Sequence, residues 1–108
     1  MIDLISAHRQ SIEHLCRTYG IRRLDLFGSA ATGTFDPATS DIDFIVDLGG
    51  YEPGVTRRFL RFADALEALL GRKVDLITDE QIQNPYFRFS VDQSRERVYE
   101  AVDRQAAA

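Results

Sequence analysis

One cysteine, no long apolar run and no surplus of basic charge set the outer limits of this 108-residue chain. A lone thiol, Cys16, excludes an intrachain disulfide and fits a reducing cytoplasm. It falls on the apolar face of a predicted helix, which marks it as a core side chain. No stretch approaches the roughly 20 apolar residues of a membrane span, so no membrane association is expected. Met1-Ile2-Asp3-Leu4 also lacks the basic-then-apolar order of a secretory signal, and the expected location is cytoplasmic. With 13 Lys and Arg against 17 Asp and Glu, the net charge is −4. Such a chain is poorly suited to neutralising phosphates over a broad surface, and direct nucleic-acid binding is not expected. The two histidines, His8 and His14, are six apart on a helix and do not share a face well, so neither points to a metal site. There is no internal repeat.

The length suits one domain, expected over residues 1–104, with 105–108 as a frayed tail and no room for a second functional module. Apolar residues at Leu4/Ile5, Ile12, Leu15/Cys16 and Tyr19 predict one amphipathic helix over 3–19, ending at Gly20. Residues 21–27 read as a strand with Leu24 and Leu26 on one face and Asp25 and Phe27 on the other. A short helical turn is expected after Ser29, followed by a loop. Ile42 to Asp47 is a second strand. Val55, Phe59, Phe62/Ala63, Leu66 and Leu69/Leu70 then recur at helical spacing up to Gly71. Residues 73–78 predict a third strand, and Thr78-Asp79-Glu80-Gln81 a capped short helix ending before Pro85. Beyond it a helix runs to about Ser94, followed by a strand or a second helix around Val98. Alternating helices and strands imply an α/β domain with a small sheet flanked by helices. The link from strand one to strand two permits either relative direction.

The chemistry concentrates in Ser40-Asp41-Ile42-Asp43-Phe44-Ile45-Val46. Alternation along a strand places Asp41 and Asp43 on one face and Ile42, Phe44 and Val46 on the other. Two carboxylates about 4 Å apart repel by roughly 4 kcal/mol at an effective dielectric near 20, which a shared proton or a divalent cation would relieve. A cation is the more economical reading. Asp75, on the third strand, admits two readings from the residues alone, an exposed carboxylate paired with Lys73 or part of the same site. Asp36 and Asp47 read as loop and strand-end residues, and the aspartate spacing does not fit a calcium loop. Arg57, Arg58 and Arg61 read as a solvated helix face, with contact to a triphosphate or a partner protein as the alternative. Tyr86, Phe87 and Phe89 read as core or as a partner surface.

Leu26-Phe27-Gly28-Ser29, Gly33, Ser40 to Val46 and Val74-Asp75-Leu76 together resemble the signature of the polymerase-beta-type nucleotidyltransferases, specifically the minimal nucleotidyltransferases akin to MntA antitoxins. The resemblance covers about residues 20–80, with a looser likeness to Tyr99. It implies the nucleotidyltransferase fold, a small mixed sheet flanked by helices. It implies Asp41, Asp43 and Asp75 as catalytic metal ligands for two Mg²⁺ ions, with Mn²⁺ as the alternative. Gly28 and Ser29 would hold the triphosphate of ATP, glycine by admitting the backbone close to a phosphate and serine by adding a hydroxyl and an amide. AMP would pass to a hydroxyl of a partner protein, a tyrosine of a HEPN-type toxin, in a hetero-oligomeric toxin–antitoxin pair. Competing readings are an antitoxin that acts by occlusion alone and a transferase acting on a small molecule. The chain departs from the family at two points. Eleven residues, 30–40, separate Ser29 from Asp41 where relatives usually have ten, and Ala30 and Thr32 stand where relatives often carry arginines. Lost arginines mean fewer phosphate contacts, so nucleotide affinity is the more exposed property.

Overall fold

Alternation along the strand Ile42–Asp47 (β2) decides how the chain is layered. Ile42, Phe44 and Val46 turn into the main core, while Ile45, on the other face, joins a second cluster with Phe27, Ile82 and Val91. The computed structural model describes residues 1–33, 36, 41–50 and 52–102. Among these, β2 lies in a four-stranded sheet with β1 (Arg23–Phe27), β3 (Val74–Ile77) and β4 (Glu96–Glu100), in the order β3-β2-β1-β4. β1 runs antiparallel to β2 and to β4, and β3 runs parallel to β2, which makes the sheet mixed. The open direction of the first link is thereby resolved as antiparallel.

Helices α1 (Asp3–Ala7), α2 (Arg9–Thr18) and α4 (Val55–Leu70) supply the main core with Ile5, Ile12, Cys16, Phe62, Leu66 and Leu70. Each large side chain so buried contributes roughly 1.5–3 kcal/mol. A one-turn helix, α3 (Ser29–Thr32), follows β1, and α5 (Pro85–Ser94) covers the second face with Val91. Asn84 caps α5 by accepting the amides of Tyr86 at 2.8 Å and Phe87 at 3.2 Å, with Pro85 at the first position, where a missing N–H costs nothing. The segment after α5 is a strand, which settles the alternative around Val98. α4 matches its expected span, and its Glu67 carboxylate accepts the Val74 amide at 2.9 Å, anchoring β3 one residue before Asp75.

Two boundaries differ from expectation. The single helix over 3–19 is broken at His8, whose backbone sits at φ −104° and ψ 10°. Its ring Nδ1 donates to Leu4 O at 2.8 Å, the carbonyl its own amide would take in a continuous helix, and that amide bonds Ile5 O instead. The first strand starts at Arg23 because the Ile21 amide is used elsewhere. It reaches back to Cys16 O at 2.8 Å while Gly20, at φ +67°, bonds Arg17 O, a Schellman closure of α2. Of the longer segment 30–40, only residues 30–33 and exposed Asp36 are described, and the tail expected over 105–108 lies outside the described residues.

Candidate active site

Asp43 and Asp75 are register partners across the parallel β2/β3 pair. Asp43 is half-buried and Asp75 is exposed on the edge strand. Burial, followed by the Asp75 charge, a hydrogen bond to Asp75 and the Asp41 charge, pushes the Asp43 carboxyl up to about 6. Ionising Asp43 is therefore opposed by its burial and by the carboxylates beside it. Asp41 stands at the entrance to β2 and its Oδ2 lies 3.9 Å from Lys73 Nζ. Lys73 thus neighbours Asp41, although the sequence equally suggested a pairing with Asp75. Among the described residues no three His, Cys, Asp or Glu side chains converge closely enough to enclose a metal ion. Asp43 and Asp75 are drawn together, and Asp41 is turned toward its lysine.

Gly28 closes β1 with φ +73° and ψ −153°, a conformation that glycine alone adopts readily. A Cβ there would lie 2.8 Å from Asp43 Oδ2. The missing side chain thus makes room for the carboxylate, a reason the residue pattern did not reveal. The Gly28 amide donates to Ser94 Oγ at 2.9 Å, and the Gly28 carbonyl accepts the Ala31 and Thr32 amides of α3. Ser29 is half-buried at the first position of α3, where helix amides lack partners within the helix.

A divalent cation suits this donor set chemically. Carboxylate oxygens are the hard donors such an ion takes, and its positive charge would offset the repulsion that opposes ionisation of Asp43.

Asp25, placed beside Phe27 on one strand face by the residue pattern, has a role that pattern does not reveal. It is 1% exposed on β1, and its carboxylate accepts from Arg95 Nε at 2.6 Å and from Arg97 Nε. The other two guanidinium nitrogens of Arg95 each reach an Asp79 oxygen at 3.0 Å. These bonds raise the Arg95 proton affinity and hold Asp79 below the usual carboxylate range. A single aspartate among the apolar residues of 21–27 was the available signal. Other side chains resolve toward structure. Arg58 leaves the solvated face to bond Tyr19 O, Gly20 O, Leu48 O and Glu52, whereas Arg57 and Arg61 stay exposed. Cys16 is buried and its thiol is pushed up to about 12 by desolvation, in keeping with a core role. Asp47 ends β2, accepting the Gly49 amide. Tyr86 and Phe89 are 85% and 67% exposed, which excludes the core reading for both, while Phe87 packs edge-on against Phe27.

Comparison with known proteins gives the family and the fold. Residues 8–98 match the model of the nucleotidyltransferase domain family. A Methanocaldococcus jannaschii protein provisionally named a protein adenylyltransferase is 37% identical over 91 residues, 84% of this chain and 87% of its own. A solved structure provisionally described as a minimal nucleotidyltransferase is 33% identical, with TM-score 0.66, covering 88% of this chain and 95% of that one. A Shewanella oneidensis complex of a tri-AMPylated HEPN toxin with an MNT antitoxin aligns at TM-score 0.60 and 18% identity, over 94% of this chain and 76% of the other, a likeness of fold.

Proposed function

Because the chain belongs to the nucleotidyltransferase domain family, we propose that it is a metal-dependent protein adenylyltransferase that moves AMP from ATP to a partner's hydroxyl, a tyrosine of a HEPN-type toxin, and so serves as an antitoxin in the cytoplasm. The observation that carries this reading is the Asp43–Asp75 pair across β2 and β3, with the Gly28 turn packed on Asp43. The relative named for protein adenylylation and the fold shared with an antitoxin bound to an AMPylated HEPN toxin support the acceptor class.

Asp41, Asp43 and Asp75 would hold Mg²⁺, two ions in the fullest form, which when bound stabilises charge on the attacked phosphorus and on the departing pyrophosphate. Ser29 offers its hydroxyl and amide to the triphosphate. Asp75, exposed on the edge strand, is open to a hydroxyl presented by another protein and takes its proton as the oxygen attacks the α-phosphorus. A new oxygen–phosphorus bond forms, the bond to pyrophosphate breaks, and pyrophosphate leaves. In a test, the protein is incubated with α-labelled ATP, Mg²⁺ and the product of the adjacent gene. Label on a tyrosine of that product is expected, and no transfer, or equal transfer by Asp43→Asn, overturns the proposal. Full neutralisation of the partner in cells by the Asp41→Asn/Asp43→Asn double variant would favour occlusion.

A further inference from the structure

Ser94 lies 66 residues beyond Gly28 in sequence, yet its Oγ accepts the Gly28 amide at 2.9 Å. It is the last residue of α5, and its hydroxyl can donate in turn to Val91 O at 3.3 Å or Ser90 O at 3.5 Å. The next residue, Arg95, is fastened to buried Asp25 and to Asp79. The end of α5 is thereby pinned to the middle of β1, and Ser94 is delivered to the turn that ends β1. On the far side of that turn, the Cα of Gly28 faces Asp43 so closely that an added Cβ would meet Oδ2 at 2.8 Å. The contacts form a continuous path from Asp25 and Asp79 through Arg95 and Ser94 to Gly28 and Asp43.

We propose that Ser94 is a positioning residue for the transfer reaction: by accepting the Gly28 amide it fixes the turn that sets where the Asp43 carboxylate stands. The role rests on the adenylyltransferase reading for its catalytic meaning, but the hydrogen bond itself can be tested without activity. Glycine in this conformation has no side chain to brace it, and a turn with φ +73° is free to relax once its amide loses its acceptor. Alanine at position 94 removes the acceptor, whereas threonine keeps a hydroxyl on the same carbon.

The experiment compares wild type, Ser94→Ala and Ser94→Thr in two measurements. The first is amide hydrogen exchange by NMR at Gly28, with buried amides of α4 as internal reference. Loss of one hydrogen bond should speed exchange at Gly28 by about tenfold in Ser94→Ala, leave the α4 amides unchanged, and return toward wild type in Ser94→Thr. The second is AMP transfer to the partner at saturating ATP, where kcat should fall about tenfold in Ser94→Ala and be restored by Ser94→Thr. Wild-type exchange at Gly28 in Ser94→Ala overturns the proposal. So does a uniform acceleration of all amides, which would mark Ser94 as a general stabiliser, or an activity loss that threonine fails to restore while Gly28 exchange recovers. Should wild type itself transfer no AMP, the adenylyltransferase reading fails and with it the catalytic meaning of Ser94, while the exchange measurement still decides whether Ser94 fixes the turn.

Discussion

Asp43→Asn should make the folded protein more stable while abolishing its proposed chemistry. Burial and the neighbouring Asp75 and Asp41 raise the Asp43 carboxyl from an ordinary 3.8 to about 6. At 1.36 kcal/mol per tenfold change in proton affinity, ionising it in the folded chain costs about 3 kcal/mol, which solvent at this half-buried site screens to about 1–2 kcal/mol. Below pH about 4 the carboxyl is protonated in both folded and unfolded chains, and the cost is absent. Between about 4 and 6 the unfolded chain releases its proton while the folded chain holds it, so this group's contribution to stability falls as pH rises. Above about 6 the full penalty applies. Asparagine keeps the shape, carries no charge and can donate its amide to Asp75. The assay is urea or thermal unfolding of both proteins in EDTA from pH 3.5 to 8. At pH 8 the variant should be ahead by about 1–2 kcal/mol, or about 5–10 °C in Tm for a domain of this size, and the difference should vanish at the acid end. Equal stability at pH 8, or a difference independent of pH, would refute the claim that Asp43 is held against other carboxylates. Added Mg²⁺ should then raise the wild-type Tm and leave Asp43→Asn nearly unmoved.

Gly28→Ala places a methyl 2.8 Å from Asp43 Oδ2 in a conformation reserved for glycine. It should lose about 2–3 kcal/mol in urea unfolding and at least tenfold in AMP transfer, and wild-type stability would show that the turn is not packed on the carboxylate. Asp25→Ala strips the buried partner from Arg95 and Arg97. A loss of about 3 kcal/mol is expected in the same assay, and less than about 1 kcal/mol would mean that the pair does not hold α5 to the sheet.

Periodicity made some elements legible to the residue. β2 sets Ile42, Phe44 and Val46 on the face that packs in the main core and both aspartates on the other, and α4 repeats its apolar residues at three and four because only one stripe is buried. Both patterns are local, so no partner is needed to read them. The apolar spacing of the N-terminal helix continues through His8 and hides the break, where the His8 ring bonds Leu4 O. Hydrophobicity alone extends the first strand to position 21, although the Ile21 amide belongs to the closure of α2.

By itself the sequence determined the pair of aspartates on one strand face, the Gly-Ser turn upstream and the existence of a third strand bearing Asp75. Those follow from the period of a strand and the short reach of a turn. Tertiary structure decided which carboxylates meet. Parallel pairing of β2 with β3 sets Asp43 beside Asp75 and brings Lys73 to Asp41, a matter of register between segments joined only through α4. It also decided why Gly28 is glycine and why Asp25 is tolerated in the interior. Their partners, Ser94 and Asp43 for the one and Arg95 and Arg97 for the other, come from other elements of the chain. Hydrogen bonds and burial between distant segments leave no periodic trace in the residues that make them.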